Sequence, residues 1–516
     1  MALPEFRNEP LTDFTAEPNR KAMLEALDRV GRELGRDLPL VIGGERVAGN
    51  GTFVSLNPSL KTQAVAVCQK ATPQHVDRAV QVADRVFRAW SRVPAEERAA
   101  ILLRAADILR RRKFWAAAWQ VYEVGKNWNE ADADVAETID FLEYYAREAL
   151  RYARGREMAP HPQEFSEYVY IPIGAVAVIP PWNFPLAIPA GMAAAAIAAG
   201  NTVVLKPSSD APANAHVLYE ILETAGLPEG VLNIVAGSGG EVGDSLVLHP
   251  RIRMVAFTGS KEVGLRIYAL AAQHSPGQIW LKRVIAEMGG KNAVIVDESA
   301  DLDEAVAAAV VSGYGFQGQK CSAGSRLVVH ERRYRDVLDA FVSQVRDLQV
   351  GPARDNFPVG PVINARAQQR IMDYISIGTR EGRLAAGGEP GDSEGFFIQP
   401  TVFADVDPQA RIAQEEIFGP VVAVIKARDF DHALAIANGT EYGLTGAVFS
   451  RTPEHVARAR QEFLCGNLYI NRKCTGALVG VHPFGGFHMS GTDAKAGGPD
   501  YLGYFLQPKV VAIKHR

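Results

Sequence analysis

The sequence predicts an α/β protein built from two doubly wound, Rossmann-type units, and three observations point there. Between residues 175 and 260 the short apolar runs VAVIP, NTVVLKP, VLNIVAG and MVAFTGS alternate with the helical stretches AIPAGMAAAAIA, ANAHVLYEILETAG and GGEVGDSLVLHP. Strand-helix-strand repetition of this kind implies parallel pairing, because a parallel neighbour is reached only through a crossover. A second alternating series follows Glu287, with NAVIVD, RLVVH and VVAVIK as strands and SADLDEAVAAAVVSGYG, RRYRDVLDAFVSQVRDL and FDHALAIAN as helices. Finally, 516 residues with 47% hydrophobic and 22% charged side chains provide a core too large for one unit and exclude a disordered or low-complexity chain.

Along the chain, residues 14–36 have the spacing of an amphipathic helix, and VIGGERV carries a Gly-Gly turn between short apolar runs, as in a hairpin. Residues 73–154 are charged, alanine-rich and helical in period, which predicts several helices in succession. From Ile171 to Leu205 there is no charged residue, long enough to suggest a membrane span. Pro180, Pro181, Asn183, Pro185 and Pro189 would break a spanning helix, so GMAAAAIAAG is expected to be a helix buried between layers. The opening MALPEFRNEPLTDF lacks the basic flank and apolar stretch of an export signal. Asn438-Gly439-Thr440 is expected to be a turn. The alternating run near the end, VVAIK, is a candidate edge strand that a neighbouring subunit would cover.

Charge excludes some partners. With 55 Lys and Arg against 59 Asp and Glu, a net charge of -4 gives no footprint for nucleic acid or an anionic membrane surface. The four cysteines, Cys68, Cys321, Cys465 and Cys474, are too scattered for a disulfide framework, which suits a reducing, cytoplasmic setting. The eleven histidines form no HExxH pattern and no CxxC occurs, so no metal site is expected.

Among the cysteines, Cys321 has the neighbours that chemistry needs. In GYGFQGQKCSAGSR, glycines 313, 315 and 318 let backbone approach a ligand, and Lys320 can favour the thiolate, the nucleophilic form of sulfur. A buried structural thiol is the alternative, and it is the reading kept for the other three. Glu287, in AEMGGKNAVIV, sits in an apolar stretch before a Gly-Gly turn. Desolvation would raise its pKa toward neutrality and suit it to take a proton from water, although a solvated turn glutamate fits equally well. No clean GxGxxG occurs. FTGSKEVG instead places Gly259, Ser260 and Gly264 across a strand-to-helix turn where amides and a hydroxyl can hold a pyrophosphate, a weak signal by itself. GYGFQGQK fails the Walker A pattern, so nucleotide triphosphate chemistry is not supported.

Seven segments in order, PWNFP (181–185), LKPSS (205–209), FTGSKEVG (257–264), AEMGGKN (286–292), GQKCSA (318–323), EEIFGP (415–420) and PFGGF (483–487), resemble the motifs of the aldehyde dehydrogenase superfamily. The resemblance implies Cys321 as nucleophile, Glu287 as general base, and Asn183 as an oxyanion donor together with the Cys321 backbone N–H. It implies NAD as cofactor, with Lys206 at the adenosine ribose, Ser260 at the pyrophosphate, Glu416 at the nicotinamide ribose and Phe418 near the ring. Pro181, Trp182, Ser209, Gly259, Gly264 and Gly289 complete the implied cofactor set. Many NAD-preferring relatives have glutamate where this chain has Ser209; without that carboxylate, NADP is expected to be tolerated beside NAD.

A closer resemblance, carried by FRNEP (6–10), YEVGKNW (122–128), DVAETIDF (134–141), FQGQKCSAGSR (316–326) and NRKCTGALVGVHPFGGF (471–487), is to the glutamate-semialdehyde dehydrogenases of proline breakdown. It implies L-glutamate 5-semialdehyde as substrate, its carboxylate held by Ser322 and the amides of Gly476 and Ala477, its stem walled by Phe184 and by Phe484 or Phe487, with Glu137 facing the pocket. Without the resemblance, Thr475-Gly476-Ala477 is equally well a simple turn. Succinic semialdehyde as substrate, or a silent structural relative, are the alternatives; acyl transfer to coenzyme A is disfavoured because Glu287 supplies a hydrolytic base. The implied organisation is a lead-in over 1–40, a cofactor domain over 41–154 and 176–287, a catalytic domain over 288–482, and a small β oligomerisation flap from a hairpin in 155–175 with 483–516. A homo-oligomer is therefore expected, and a proline dehydrogenase that hands over substrate is the partner the resemblance suggests.

Overall fold

The apolar runs between 175 and 287 become strands buried largely on both faces, as parallel sheets require: Ala175–Ile179, Thr202–Leu205, Leu232–Ile234, Ile252–Thr258 and Arg283–Glu287. The computed structural model, which describes residues 3–515, orders them in space as 283–287, 252–258, 175–179, 202–205 and 232–234, all parallel. The hairpin at the Gly-Gly turn, Leu40–Ile42 with Glu45–Val47, extends the far edge in the antiparallel sense. Strand order reverses between 175–179 and 252–258, and a doubly wound sheet opens a crevice outside its carboxyl ends at such a point. PWNFP, LKPSS, FTGS and EMGGKN all leave strands on that side.

Helices Pro73–Trp90, Ala95–Arg111, Lys113–Val124 and Trp128–Ala153 lie in the chain between that hairpin and the strand Ala175–Ile179. The uncharged stretch forms Ala187–Ala199, buried along nearly its whole length and packed on Trp128–Ala153. No helix among the described residues is long and apolar enough to cross a membrane.

The second series forms a sheet in the order 383–386, 401–404, 421–427, 326–330, 293–296, 445–449 and 467–470, parallel except for the edge strand 383–386. Leu302–Tyr314 and Tyr334–Arg346 share one core with it, while Ala365–Glu381, Phe430–Asn438 and Pro453–Glu462 share another, so both faces are covered. Arg36–Leu38, Leu60–Gln69 and Thr52–Asn57 form a separate three-stranded sheet.

The two-stranded flap differs from a local hairpin. Glu164–Pro172 takes the chain's last strand, Leu506–Lys514, as its antiparallel partner along its full length, while within 155–175 only isolated bridges form, one of them between Arg156 and Tyr168. Residues 483–505 do not join the flap; they run back beneath the carboxyl end of Arg283–Glu287, where Gly491 bridges Glu287. The base of the flap is tied by Asn201, which is fully buried. Its Oδ1 accepts from the N–H groups of Ile173 (2.7 Å) and Gly174 (2.9 Å), and its Nδ2 donates to Phe505 O at 2.8 Å. Asn201→Leu leaves three buried polar groups without partners. At roughly 1–3 kcal/mol each, the expected loss is about 3 kcal/mol or more, measured as a fall in the denaturant midpoint with an unchanged slope.

Candidate active site

Helix Leu302–Tyr314 ends at Gly315, and the chain makes one tight turn over Gly315–Gly318 in which Phe316 and Gln317 hold φ of 50° and 56°. Left-handed conformations cost a non-glycine residue on the order of 1–3 kcal/mol and persist only when the surroundings impose them. Here they do: Phe316 is buried, Gln317 Nε2 donates to Pro361 O (2.8 Å) and Gly125 O (3.2 Å), and Gln319 Oε1 accepts from Ile363 N at 2.9 Å. The turn delivers Cys321, which is half-buried, whereas Cys68, Cys465 and Cys474 are buried.

Asn292 fixes the loop from below. Its Nδ2 donates to Cys321 O (2.7 Å) and Ala323 O (2.8 Å), and its Oδ1 accepts from Thr445 N at 2.9 Å. Gly290 must lack a side chain, since a Cβ there would stand 2.5 Å from Cys321 O.

Burial pushes the Cys321 thiol up to about 12, an effect reinforced by Glu416, Glu287 and Glu137 and opposed by the Ser322 N–H. Lys320 does not favour the thiolate as its sequence position suggested. Its ammonium is paired with Glu130 Oε1 at 2.7 Å, so its charge is spent on a neighbouring carboxylate. Glu287 ends the strand Arg283–Glu287, where burial raises its carboxyl to about 8 against the Gly486 N–H and Lys495. Oε2 accepts from Gly486 N at 3.3 Å, and Oε1 is buried without a protein partner among the described residues. One lone-pair face is thus free for a water.

Asn183 is buried in the loop after Ala175–Ile179, with Nδ2 donating to Gln319 O at 2.9 Å. The bond holds its amide against the Cys321 loop and uses one of two N–H bonds. Beneath the loop lies a fully buried ion pair, Lys126 Nζ to Asp134 Oδ2 at 2.6 Å. Lys126 Nζ stands 4.1 Å from the Phe184 ring centroid and 5.0 Å from that of Phe316, and Asp134 Oδ1 accepts from Ala187 N at 2.8 Å. Lys126 and Asp134 were missed as positioning groups, although both lie in the resemblance segments 122–128 and 134–141; nothing in their spacing announces a buried pair.

A dinucleotide fits the carboxyl edge of the first sheet. Lys206 Nζ is buried with only Pro207 O, at 3.3 Å, as a partner among the described residues, and burial lowers its pKa to about 8. A buried ammonium so poorly paired lacks an acceptor, and a ribose hydroxyl would supply one. Ser260 caps helix Lys261–Ala271. A Cβ on Gly264 would stand 2.5 Å from Met288 Sδ, and one on Gly259 2.6 Å from the Phe257 ring, so both glycines are needed for close packing there. Gly289 has the same role toward Glu416, whose Oε2 would be 2.3 Å from a Cβ, and Glu416 Oε1 accepts from Gly290 N at 2.9 Å. Burial raises Glu416 to about 7. Phe418 holds φ 57° and meets Trp182 edge-on at 5.6 Å, next to Pro181. Ser209 is exposed.

On the other side of the thiol, Glu137 is half-buried and raised to about 8 by burial and then by Asp134. Ser322 is buried, with its carbonyl accepting from Thr445 Oγ1 and Cys474 Sγ, both at 3.3 Å. Gly476 holds φ 78°, and neither its N–H nor that of Ala477 has a protein acceptor among the described residues. Phe484 pairs with Ala496 through two 2.8 Å backbone bonds, which carries 485–487 to Glu287, and Phe487 lies 5.2 Å from Lys495 Nζ.

The aldehyde dehydrogenase family model matches residues 46–511. The chain is 58% identical over 508 residues to 1-pyrroline-5-carboxylate dehydrogenase of Geobacillus kaustophilus, covering 98% of this chain and 99% of the relative. A solved Thermus 1-pyrroline-5-carboxylate dehydrogenase with bound NAD superposes with a TM-score of 0.99 at 53% identity, each chain covered completely. Proline utilization A of Bdellovibrio bacteriovorus superposes with a TM-score of 0.97 at 46% identity, over 100% of this chain and 54% of its own. With its thiol, buried carboxyl and carboxyl-edge cleft, and with a family match over nearly its full length, the chain belongs to the aldehyde dehydrogenase family.

Proposed function

We propose that the protein oxidises L-glutamate 5-semialdehyde, the open form of 1-pyrroline-5-carboxylate, to L-glutamate, with NAD as cofactor and NADP tolerated. The observation that carries this reading is the convergence on one half-buried thiol, Cys321, of a carboxyl with a partnerless oxygen, Glu287, and an amide donor, Asn183. The relatives named 1-pyrroline-5-carboxylate dehydrogenase support the substrate.

Cys321 Sγ adds to the aldehyde carbon once its proton has been passed to a neighbouring acceptor, and the charge that develops on oxygen is met by the remaining N–H of Asn183 and the backbone N–H of Cys321. A neutral donor suits this role, since it stabilises the alkoxide without pairing permanently with the thiolate. When bound, the dinucleotide supplies a hydride acceptor. Lys206, Ser260 and Glu416 would hold it, with Gly259, Gly264 and Gly289 letting Phe257, Met288 and Glu416 pack beside the cleft and Phe418 with Trp182 forming an aromatic wall. After oxidation the acyl group remains on Sγ as a thioester. Glu287 takes a proton from the water that attacks it, and the thiol is restored as the carboxylate product leaves.

At the far end of the substrate, the free N–H groups of Gly476 and Ala477 form a concave pair of donors suited to a carboxylate. Ser322 adds a hydroxyl, and Phe184 with Phe484 offers apolar surface for the stem. Exposed Ser209 presents no carboxylate to repel a 2′-phosphate, which supports use of NADP. The flap carries Phe165, Val510 and Ile513, each more than half exposed, and covering such an edge argues for a dimer or larger homo-oligomer. A cytoplasmic setting and a proline dehydrogenase partner complete the reading; the second is supported by the superposition on part of the longer proline utilization A chain.

The test is steady-state NADH or NADPH formation with glutamate semialdehyde, succinic semialdehyde and acetaldehyde. Highest kcat/KM is expected with the first, with all activity lost in Cys321→Ser and NADP supporting turnover within a thousandfold of NAD. A preference for succinic semialdehyde would overturn the substrate.

The raised Glu287 carboxyl sets a pH dependence. Its base form exists above its pKa of about 8, so thioester hydrolysis is expected to rise about tenfold per pH unit below that value and to level off above it. Rapid-quench measurement of deacylation from pH 6 to 9 checks this. Glu287→Gln should lose the dependence along with at least a hundredfold in rate, and a flat profile in the unaltered enzyme would remove Glu287 as the base.

A further inference from the structure

The loop 475–482 supplies the two free amides at one end and closes a turn at the other, where Val481 N and His482 N donate to Leu478 O at 3.1 and 2.8 Å. Gly476 and Gly480 hold φ of 78° and 76°, and two left-handed residues in so short a span leave the loop dependent on outside contacts. Arg472 binds one end, donating to Thr475 O and Gly476 O at 3.0 Å each. Gly480 N donates to Gly497 O at 2.8 Å. A further contact comes from the other end of the chain: Asn8 Nδ2 donates to Val479 O at 2.9 Å.

The same Asn8 amide donates to Asp140 Oδ2 at 2.8 Å, so both of its N–H bonds are engaged, one on the loop and one on helix Trp128–Ala153. Asp140 lies three residues beyond Glu137, on the helix face that carries Glu137 toward the thiol. Its other oxygen accepts from Glu9 N at 2.7 Å. Phe6 meets Tyr144 edge-on at 5.3 Å, and its ring would stand 3.0 Å from a Cβ on Gly480. The strap that presents these groups, residues 4–12, is fastened along the helix layer. Arg147 donates to Pro4 O at 3.2 Å, Glu9 pairs with Arg110 at 2.8 Å, and Thr12 donates to Asp132 through N and Oγ1 at 2.8 and 2.6 Å.

We infer that Asn8 is a positioning residue for substrate specificity: by joining Val479 O to Asp140 it sets the distance between the Gly476–Ala477 amides and the Cys321 side of the pocket, and so selects aldehydes with a carboxylate at the far end. The inference rests on the proposed binding of that carboxylate at 476–477. Asn8 touches neither substrate nor cofactor, and the thiol, the oxyanion donors and the dinucleotide cleft are held by other contacts. Its loss therefore weakens recognition of the distal carboxylate and leaves the chemistry intact.

The experiment compares kcat/KM for glutamate semialdehyde with that for propanal, which has no carboxylate, in the full-length enzyme. In Asn8→Ala the ratio is expected to fall roughly five- to tenfold, the worth of one hydrogen bond, through a higher KM for glutamate semialdehyde. Its kcat, both propanal constants and the NAD KM should stay within twofold, and propanal turnover reports that the variant is folded. Thr12→Val, which removes one of the strap's two hydrogen bonds to Asp132 without touching the loop, is expected to leave the ratio within twofold. An unchanged ratio in Asn8→Ala, an equal loss with both aldehydes, or a matching fall in Thr12→Val overturns the assignment. If the unaltered enzyme does not favour glutamate semialdehyde over propanal, the substrate reading fails first, before any variant is compared, and the inference falls with it.

Discussion

Asn292 binds the carbonyls on either side of Ser322 and takes a hydrogen bond from Thr445 N, so one amide joins the end of the first sheet, the nucleophile loop and the strand 445–449. The stretch 287–292 does most of what the site needs. Glu287 ends a strand with its carboxyl in the interior, Gly289 makes room for Glu416, Gly290 lets the Cys321 carbonyl approach, and Asn292 then bonds that carbonyl. Two adjacent glycines are required because two different groups, the Glu416 carboxyl and the Cys321 carbonyl, each come close to the backbone there. The placement of the thiol between a sheet that offers its carboxyl ends and a sheet that begins at residue 293 follows from this one crossing.

The electrostatics follow from burial more than from pairing. Glu287, Glu416 and Glu137 are all raised toward or past neutrality, each chiefly by desolvation. Ionised carboxylates near the sulfur oppose the thiolate, and carboxyls whose pKa burial raises toward neutrality oppose it less. The cations nearby do not supply the missing attraction. Lys320 is paired with Glu130, and Lys126 with Asp134. Those pairs act on geometry instead, the second by holding Phe184 from below and the first turn of helix Ala187–Ala199 from the side.

Much of this was legible in the sequence. The alternating runs after residue 175 became the strands and helices expected of them, because buried parallel strands require continuous apolar residues and crossovers require amphipathic ones. Cys321 and Glu287 stood out because each combines a reactive group with adjacent glycines. The strands at 36–38, 52–57 and 60–69 and the helix at 365–381 were not anticipated, being short, interrupted or mostly polar. The hairpin expected in 155–175 proved to be a strand whose partner lies more than three hundred residues away, and no local pattern encodes that choice. Lys320 was read as an activating charge because it adjoins the thiol; its carboxylate partner comes from residue 130, on another helix.

By itself the sequence determined the class of fold, the order of its units and the residue types that carry the chemistry, since periodicity, turn residues and motif spacing are local properties. Only the tertiary structure decided which carboxyls burial pushes up, which donors remain free, and how Asn8 reaches a carbonyl 471 positions away. Those outcomes depend on desolvation and on hydrogen bonds between distant segments, and both exist only once the interior has closed.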